Sequence, residues 1–171
     1  MRRGKVAVCL GTMMGRVPYG ELQIHGSTLD FATHQQVYAF ACGQQAYYEA
    51  LEQAGEVQLI RTSVELNSHW QQWKSASEQR RIGVVLAMEG ADAIVSPDQA
   101  ELWFEKGLRC TSIVHYGTSA YAVGTGQDGP ITEAGRSLLK QFESIGMILD
   151  LTHLSDTSFF DVVNAFSGPI C

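Results

Sequence analysis

Apolar residues fall along this chain in two alternating patterns, short continuous runs bounded by glycine and longer stretches with helical spacing. The runs Val6 to Leu10, Ile82 to Met88, Leu108 to Val114 and Met147 to Leu151 read as strands of the kind buried in parallel sheets, the last of them on both faces. Between them the period changes. Val37, Phe40, Ala41, Tyr48 and Leu51 define one side of a helix from about Thr33 to Ala54, closed by Gly55. Thr62-Ser63-Val64-Glu65 has the form of a capping box, opening a second helix with Leu66, Trp70 and Trp73 on its buried face. Ser96-Pro97 starts a third that ends at Lys106 and Gly107, and Thr132 caps a fourth, with Leu138, Phe142 and Ile145 inward and Gly146 at its end. Ser155 opens a fifth, where Phe159, Val162, Val163 and Phe166 share a face, and Gly168-Pro169-Ile170-Cys171 begins one more strand. Strands alternating with helices predict successive β-α units and a parallel sheet, either open and doubly wound or closed as a barrel. Pro18, Gly20, Gly26, Ser27 and Asp30 predict a turn-rich loop before the first helix.

Composition narrows the class. With 171 residues, 45% apolar and 18% charged, the chain is long enough for one domain with a sizeable core and has no disordered character. A net charge of -6, without a basic run or stripe, argues against a nucleic-acid partner. Cys9, Cys42, Cys110 and Cys171 are scattered singly in apolar surroundings without C-x-x-C spacing, which predicts small buried hydrophobes in a reducing compartment, no disulfide and no thiolate zinc site. The basic start, Met1 to Lys5, followed by apolar Val6 to Met14, has some features of a leader, but Gly11 interrupts it and no A-x-A site follows. No run reaches the length needed to cross a bilayer, so a cytoplasmic chain with no membrane anchor is expected.

Three predicted strands run into metal-type ligands in succession, at Glu89, His115 and His153. In α/β folds, ligands and catalytic groups collect at the carboxyl ends of parallel strands. A carboxylate with imidazoles suits Zn2+. His34 and His69 lie on helices and read as surface or packing residues. The residues alone support an α/β protein with a metal rim, since no H-x-D, H-x-H or H-E-x-x-H pair occurs.

Four segments carry a resemblance. They are Met88-Glu89-Gly90-Ala91-Asp92, Gly107-Leu108-Arg109-Cys110-Thr111-Ser112-Ile113-Val114-His115, Gly129-Pro130-Ile131-Thr132-Glu133-Ala134-Gly135, and the run from Gly146 through His153 to Ser155. In order and spacing they resemble the renal (membrane) dipeptidase family of zinc peptidases, over about half the chain. The resemblance implies a (β/α)8 TIM-type barrel, of which residues 1–171 would be a single partial domain covering about strands two to six. It implies two Zn2+ ions and hydrolysis of dipeptides by a metal-bridging hydroxide. It assigns Glu89 as the carboxylate bridging both metals and His153 as a ligand of the second, with His115 contacting substrate on the same rim, too far away to complete the coordination sphere. Family parts outside this segment would be an H-x-D pair before it, and a histidine, an arginine and an aspartate after Cys171. The 171 residues by themselves are therefore expected to be inactive, with exposed edges near Val6 and Leu151. Where the family has an asparagine after this histidine, the chain reads Tyr116-Gly117-Thr118-Ser119-Ala120-Tyr121, a departure bearing on substrate preference. The alternatives are an amidohydrolase acting on N-acyl amino acids and a non-catalytic barrel homologue, with homodimerisation left open.

Overall fold

The computed structural model describes residues 1–19, 28–75 and 81–171; Gly20, Gly26 and Ser27 of the expected loop lie outside the described residues. Strand β1 (Val8–Met14) leads to helix α1 (His34–Gln53), then β2 (Val57–Leu59), α2 (Ser63–Ser75) and β3 (Ile82–Glu89). A short 3-10 turn (Pro97–Gln99) runs into α3 (Ala100–Glu105), followed by β4 (Leu108–Ser112), α4 (Glu133–Ile145), β5 (Ile148–Asp150) and α5 (Asp156–Ala165).

Every strand pairing is parallel, in the order β1-β3-β4-β5. This is the neighbour order expected of a sector of a (β/α)8 barrel, with β4 between the two strands that lead to Glu89 and His153. The sequence pattern did not reveal β2. It is only three residues long and pairs with Ile82, Gly83 and Val84 at the start of β3, whereas β4 pairs further along that strand with Leu86, Ala87 and Met88. The strand expected at Gly168 to Cys171 begins as foreseen, with Ile170 bridged in parallel to Leu149. It covers the edge expected to be bare near Leu151, whose N–H donates to the Cys171 carbonyl at 3.0 Å.

Register partners in a parallel pair share a face, so the two sides of the sheet can be read directly. Met13, Met88, Leu108 and Leu149 are almost fully buried on the side that meets Trp103, Leu138, Phe142 and Val162 of the helices. The other side carries Leu10, Thr12, Val85, Ala87, Cys110, Ile148 and Asp150, and it is only partly covered: Leu10 is 52% exposed. The run from Met147 to Leu151 is therefore not buried on both faces as expected. Met147 and Leu149 are buried, while Ile148 and Asp150 turn to the open side. Gly11, which interrupts the apolar start, sits inside β1 because a Cβ there would lie 2.4 Å from Val84 and 2.9 Å from the Tyr48 ring.

Helix ends follow the sequence closely. Thr33 with Gln36, and Thr62 with Glu65, form reciprocal capping boxes, while Thr132 and Ser155 accept from the N–H groups of Gly135 and Ser158. Such caps are worth about 1 kcal/mol each. Gly146 closes α4 at φ 74°, a left-handed position that glycine takes without penalty.

Helix faces agree less well. In α2 the buried residues are His69 and Trp73, while Leu66 and Trp70 are exposed. His69 fills the space over Gly83, where a Cβ would lie 2.8 Å from its Nε2. In α5, Phe159 and Val163 are exposed, and the docked edge is Ser158, Val162 and Phe166, tied down by the Ser158 hydroxyl on the Gly129 carbonyl at 2.7 Å. Ser96 makes no side-chain cap, and the Gln99 carboxamide instead accepts from the Val95 N–H at 3.1 Å. The third helix is correspondingly short.

Candidate metal centre

Parallel strands place their carboxyl ends on one rim, and Glu89 is the last residue of β3. Behind it Gly90 turns the chain at φ +81°, with its N–H held by the buried Ser112 hydroxyl at 2.8 Å. His115 follows the buried pair Ile113 and Val114 just past β4. His153 stands three residues beyond β5 in a turn where Asp150 Oδ1 accepts from both the N–H (2.9 Å) and the hydroxyl (2.6 Å) of Thr152. His153 itself has φ +71°, a left-handed conformation that costs a non-glycine residue of order 1 kcal/mol or more and persists only where the surroundings enforce it.

The enforcing element is the loop after His115. Thr125 N–H donates to the His115 carbonyl at 3.2 Å and Gly124 N–H to the Gly117 carbonyl at 2.7 Å, while Gly124 also bridges to Leu154. Gly124 is thereby clamped between both histidine backbones: a Cβ at that position would lie 2.1 Å from the His115 carbonyl oxygen and 2.9 Å from that of His153. The Thr125 hydroxyl sits 3.0 Å from His153 Nδ1, turning the opposite nitrogen toward the rim.

The three side chains converge. His153 Nε2 lies 3.1 Å and His115 Nε2 3.5 Å from the same Glu89 oxygen, Oε1, and the two imidazoles are 4.3 Å apart between ring centroids. Tyr116 stacks at an angle on both rings, 4.7 Å from His115 and 5.3 Å from His153. His115 is thus nearer than the sequence resemblance implied. Its nitrogen is as close to Glu89 as a shared coordination sphere requires. Burial, and next the neighbouring His153, hold its pKa below the ordinary imidazole range, with Glu89 offsetting part of the shift. A neutral imidazole is the form that ligates a metal.

Donor chemistry and spacing fit a metal ion. Nitrogen and oxygen ligands about 2.0–2.2 Å from one tetrahedral Zn2+ lie roughly 3–3.5 Å apart, and the Glu89, His115 and His153 donors all fall within 4.8 Å of one another. The ring nitrogen of a ligating histidine that faces away from the metal is commonly tied to an oxygen, as His153 Nδ1 is to Thr125. Among the described residues, the remaining histidines, His34 and His69, behave as packing residues. His69 is bonded to the Ala7 carbonyl and the Gln58 carboxamide, and His34 to Tyr19 and the Asp92 carbonyl. Thr125 and Gly124 were not singled out by sequence reasoning as parts of the site, since nothing in their spacing connects them to His153, 28 and 29 positions later; Tyr116 was read only as the start of a loop bearing on substrate preference.

Residues 30–171 match the model of the membrane dipeptidase family, peptidase family M19, and the chain belongs to that family. It is 29% identical over 117 residues to dipeptidase verJ of Clonostachys rogersoniana, covering 66% of this chain and 28% of that protein. A protein of Acinetobacter calcoaceticus from the PQQ-III 3' region is 23% identical over 162 residues, 90% of this chain and 51% of its own length. Among solved structures, a metallopeptidase from Rhodobacter sphaeroides, bound to a phosphinate mimic of the dipeptide L-Ala-D-Ala, has the same fold, with a TM-score of 0.82 at 21% identity over 99% of this chain and 53% of that one. The chain therefore spans about half the length of relatives that it matches nearly end to end. The relatives named here include a metallopeptidase and a dipeptidase. Among the described residues, no helix is long and apolar enough to cross a membrane.

Proposed function

We propose that this chain forms one side of a zinc-dependent dipeptidase centre, in which Glu89, His115 and His153 hold or border the metal ions. The observation that supports this reading best is the convergence of two imidazole nitrogens on a single Glu89 oxygen, at 3.1 and 3.5 Å. When bound, the metal would supply Lewis acidity, acidifying a water molecule and polarising the scissile carbonyl.

The chain's own residues have separable parts in this. Glu89, 35% exposed at its side chain, offers an anionic oxygen able to offset the repulsion of two cations. His153 presents Nε2 to the same space because Thr125 occupies its Nδ1. His115 either completes the ligand set or stands against the substrate carbonyl, where an N–H would stabilise developing negative charge. Tyr116, stacked on both rings and 45% exposed, walls the site on its solvent side and limits the side chains a dipeptide could carry there. The single-domain organisation, a pair of Zn2+ ions and dipeptides as substrate belong to this proposal.

The test is direct. The full reading frame containing these residues, loaded with Zn2+, is expected to hydrolyse dipeptides and to lose activity on chelation. Glu89→Gln should reduce turnover about a hundred- to a thousandfold, the scale on which removal of one essential electrostatic group acts. The 171 residues alone should bind Zn2+ weakly and show no turnover. Cleavage of N-acyl amino acids in preference to dipeptides would move the assignment to the amidohydrolase alternative. A full-length protein that binds no metal would leave only a non-catalytic homologue.

A further inference from the structure

A second group of metal-type donors lies away from the rim residues, on the open face of the sheet. Cys110 of β4, Asp150 of β5 and Cys171 come from three neighbouring strands, and their donor atoms all lie within 4.8 Å of one another. Cys110 Sγ and Cys171 Sγ are 3.6 Å apart. Their separation of 61 positions concealed this in the sequence, where each cysteine read as an isolated hydrophobe.

That distance discriminates between two fates of a thiol pair. A disulfide requires about 2.05 Å between sulfurs and, as a rule, less than about 7 Å between Cα atoms. Here β5 lies between the two cysteines: Cys110 registers with Ile148 on one side of it, and Cys171 exchanges hydrogen bonds with Leu149 and Leu151 on the other. With a strand between them, the Cα atoms stand further apart than the usual disulfide range. Two thiolates about 2.3 Å from one tetrahedral ion lie about 3.8 Å apart, close to what is found. The carboxylate is already oriented, since Asp150 Oδ1 accepts from the Thr152 N–H and hydroxyl and leaves the other oxygen unengaged by them.

We propose that Cys110, Asp150 and Cys171 form a second cation site, for a soft divalent metal such as Zn2+ or Cd2+. Binding forms two metal–sulfur bonds and one metal–oxygen bond and releases both thiol protons to solvent. The site would be distinct in chemistry from the rim, whose donors are nitrogen and oxygen only. Without a metal the Cys110 thiol stays protonated, because burial and the adjacent Cys171 push it up to about 12.

Sulfur makes the test specific. Titration of the reduced full-length protein with Co2+ or Cd2+ is expected to produce saturable thiolate-to-metal charge-transfer absorption, a signal that the sulfur-free rim cannot give. Cys110→Ser and Cys171→Ser should each abolish or strongly blue-shift it, whereas the Cys9→Ser/Cys42→Ser double variant should retain it. In the wild-type protein, Cd2+ should also slow alkylation of Cys171 by iodoacetamide, as mapped by peptide mass, a measurement needing no variant to fold. Absence of sulfur bands at saturating metal, bands that persist in the Cys110→Ser/Cys171→Ser protein, or a Cys110–Cys171 disulfide in protein purified under nitrogen would each overturn the proposal. None of these outcomes depends on the rim, so failure here leaves the dipeptidase reading standing.

Discussion

The two ends of this sheet treat histidine in opposite ways. At the amino end, His69 is 3% exposed and both of its ring nitrogens are spent on protein oxygens, the Ala7 carbonyl at 2.9 Å and the Gln58 carboxamide at 3.1 Å. At the carboxyl rim, His153 has one nitrogen held by Thr125 while the other faces a carboxylate and a second imidazole, on a backbone at φ +71°. The first arrangement is a closed hydrogen-bond account in a dry place. The second concentrates strain and like-behaving groups that the fold would be more stable without. Parallel strands explain which end is which, because only their carboxyl termini release the chain into loops free to vary. The difference teaches that a histidine's role in this fold is read from which end of the strand it follows and whether its second nitrogen is already satisfied.

The largest effect should come from the clamp that holds the rim together. Gly124→Ala would place a methyl group 2.1 Å from the His115 carbonyl and 2.9 Å from that of His153. Both contacts are with backbone, which cannot swing aside, so the loops carrying the two histidines must separate. Loss of measurable metal binding is expected, together with a drop in stability of about 3 kcal/mol or more. Zn2+ titration and urea unfolding would check both, and a variant with native metal affinity would show that the rim is not held by this contact.

At the opposite end the balance reverses. His69→Ala removes two hydrogen bonds and leaves a cavity over Gly83, which should cost about 2–4 kcal/mol by denaturant unfolding. Metal affinity in the folded protein should be unchanged. A His69 variant of wild-type stability but impaired metal binding would erase the contrast between the two ends.

A third measurement separates them by pH. Asp92, three residues past Glu89, is 3% exposed; its Oδ2 accepts from the Val17 N–H at 2.8 Å, and Oδ1 makes no hydrogen bond among the described residues. Burial raises its pKa to about 6, against partial offsets from the Val17 N–H, His34 and Arg16. The folded value lies above the unfolded one, so the protonated group's contribution is complete below about pH 4 and is lost as pH rises through about 6. Asp92→Asn keeps an acceptor for Val17 and removes the charge. It should stabilise the protein by about 2–3 kcal/mol at pH 8 and by little at pH 4, with the difference read from thermal or urea unfolding at the two values. Destabilisation at pH 8 would mean that the ionised carboxylate is needed.

Why the rim was legible in part follows from the same physics. Glu89, His115 and His153 stand out in the sequence because each stands at or just past the end of an apolar run, and the family resemblance reinforced them. Thr125 and Gly124 did not, since their partners are 28 residues or more away in His153 and a Cβ clash is invisible without coordinates. Element boundaries were recoverable where a cap has its own chemistry, as at Thr33, Thr62 and Thr132. Helix faces were not, because which side of α2 or α5 is buried depends on how much sheet lies beneath it. Trp70 and Val163 are exposed despite their helical spacing. The three-residue β2 carries too few positions for any period to show.

The smallest expected effect is also the most specific to the rim. Thr125 Oγ1 lies 3.0 Å from His153 Nδ1 and 3.4 Å from the His153 carbonyl oxygen. With its proton directed at that carbonyl, the hydroxyl accepts from Nδ1–H, which fixes the tautomer and leaves the Nε2 lone pair facing Glu89. Thr125→Val keeps the volume and the β-branched backbone preference while deleting that hydrogen bond, so the ring is free to rotate and to carry its proton on the wrong nitrogen. Outer-sphere partners of metal-bound histidines are typically worth 10–100-fold in affinity, and a loss of that size for Zn2+ is expected, about 1.4–2.7 kcal/mol. Thr125→Ser restores the hydroxyl and should restore most of the affinity. Because Thr125 N–H also donates to the His115 carbonyl in every variant, the loop itself should keep its fold and the unfolding midpoints should stay close together. Valine and serine variants binding Zn2+ equally well would mean that His153 is oriented by its backbone alone, and the strained φ of +71° would then be the whole of its positioning.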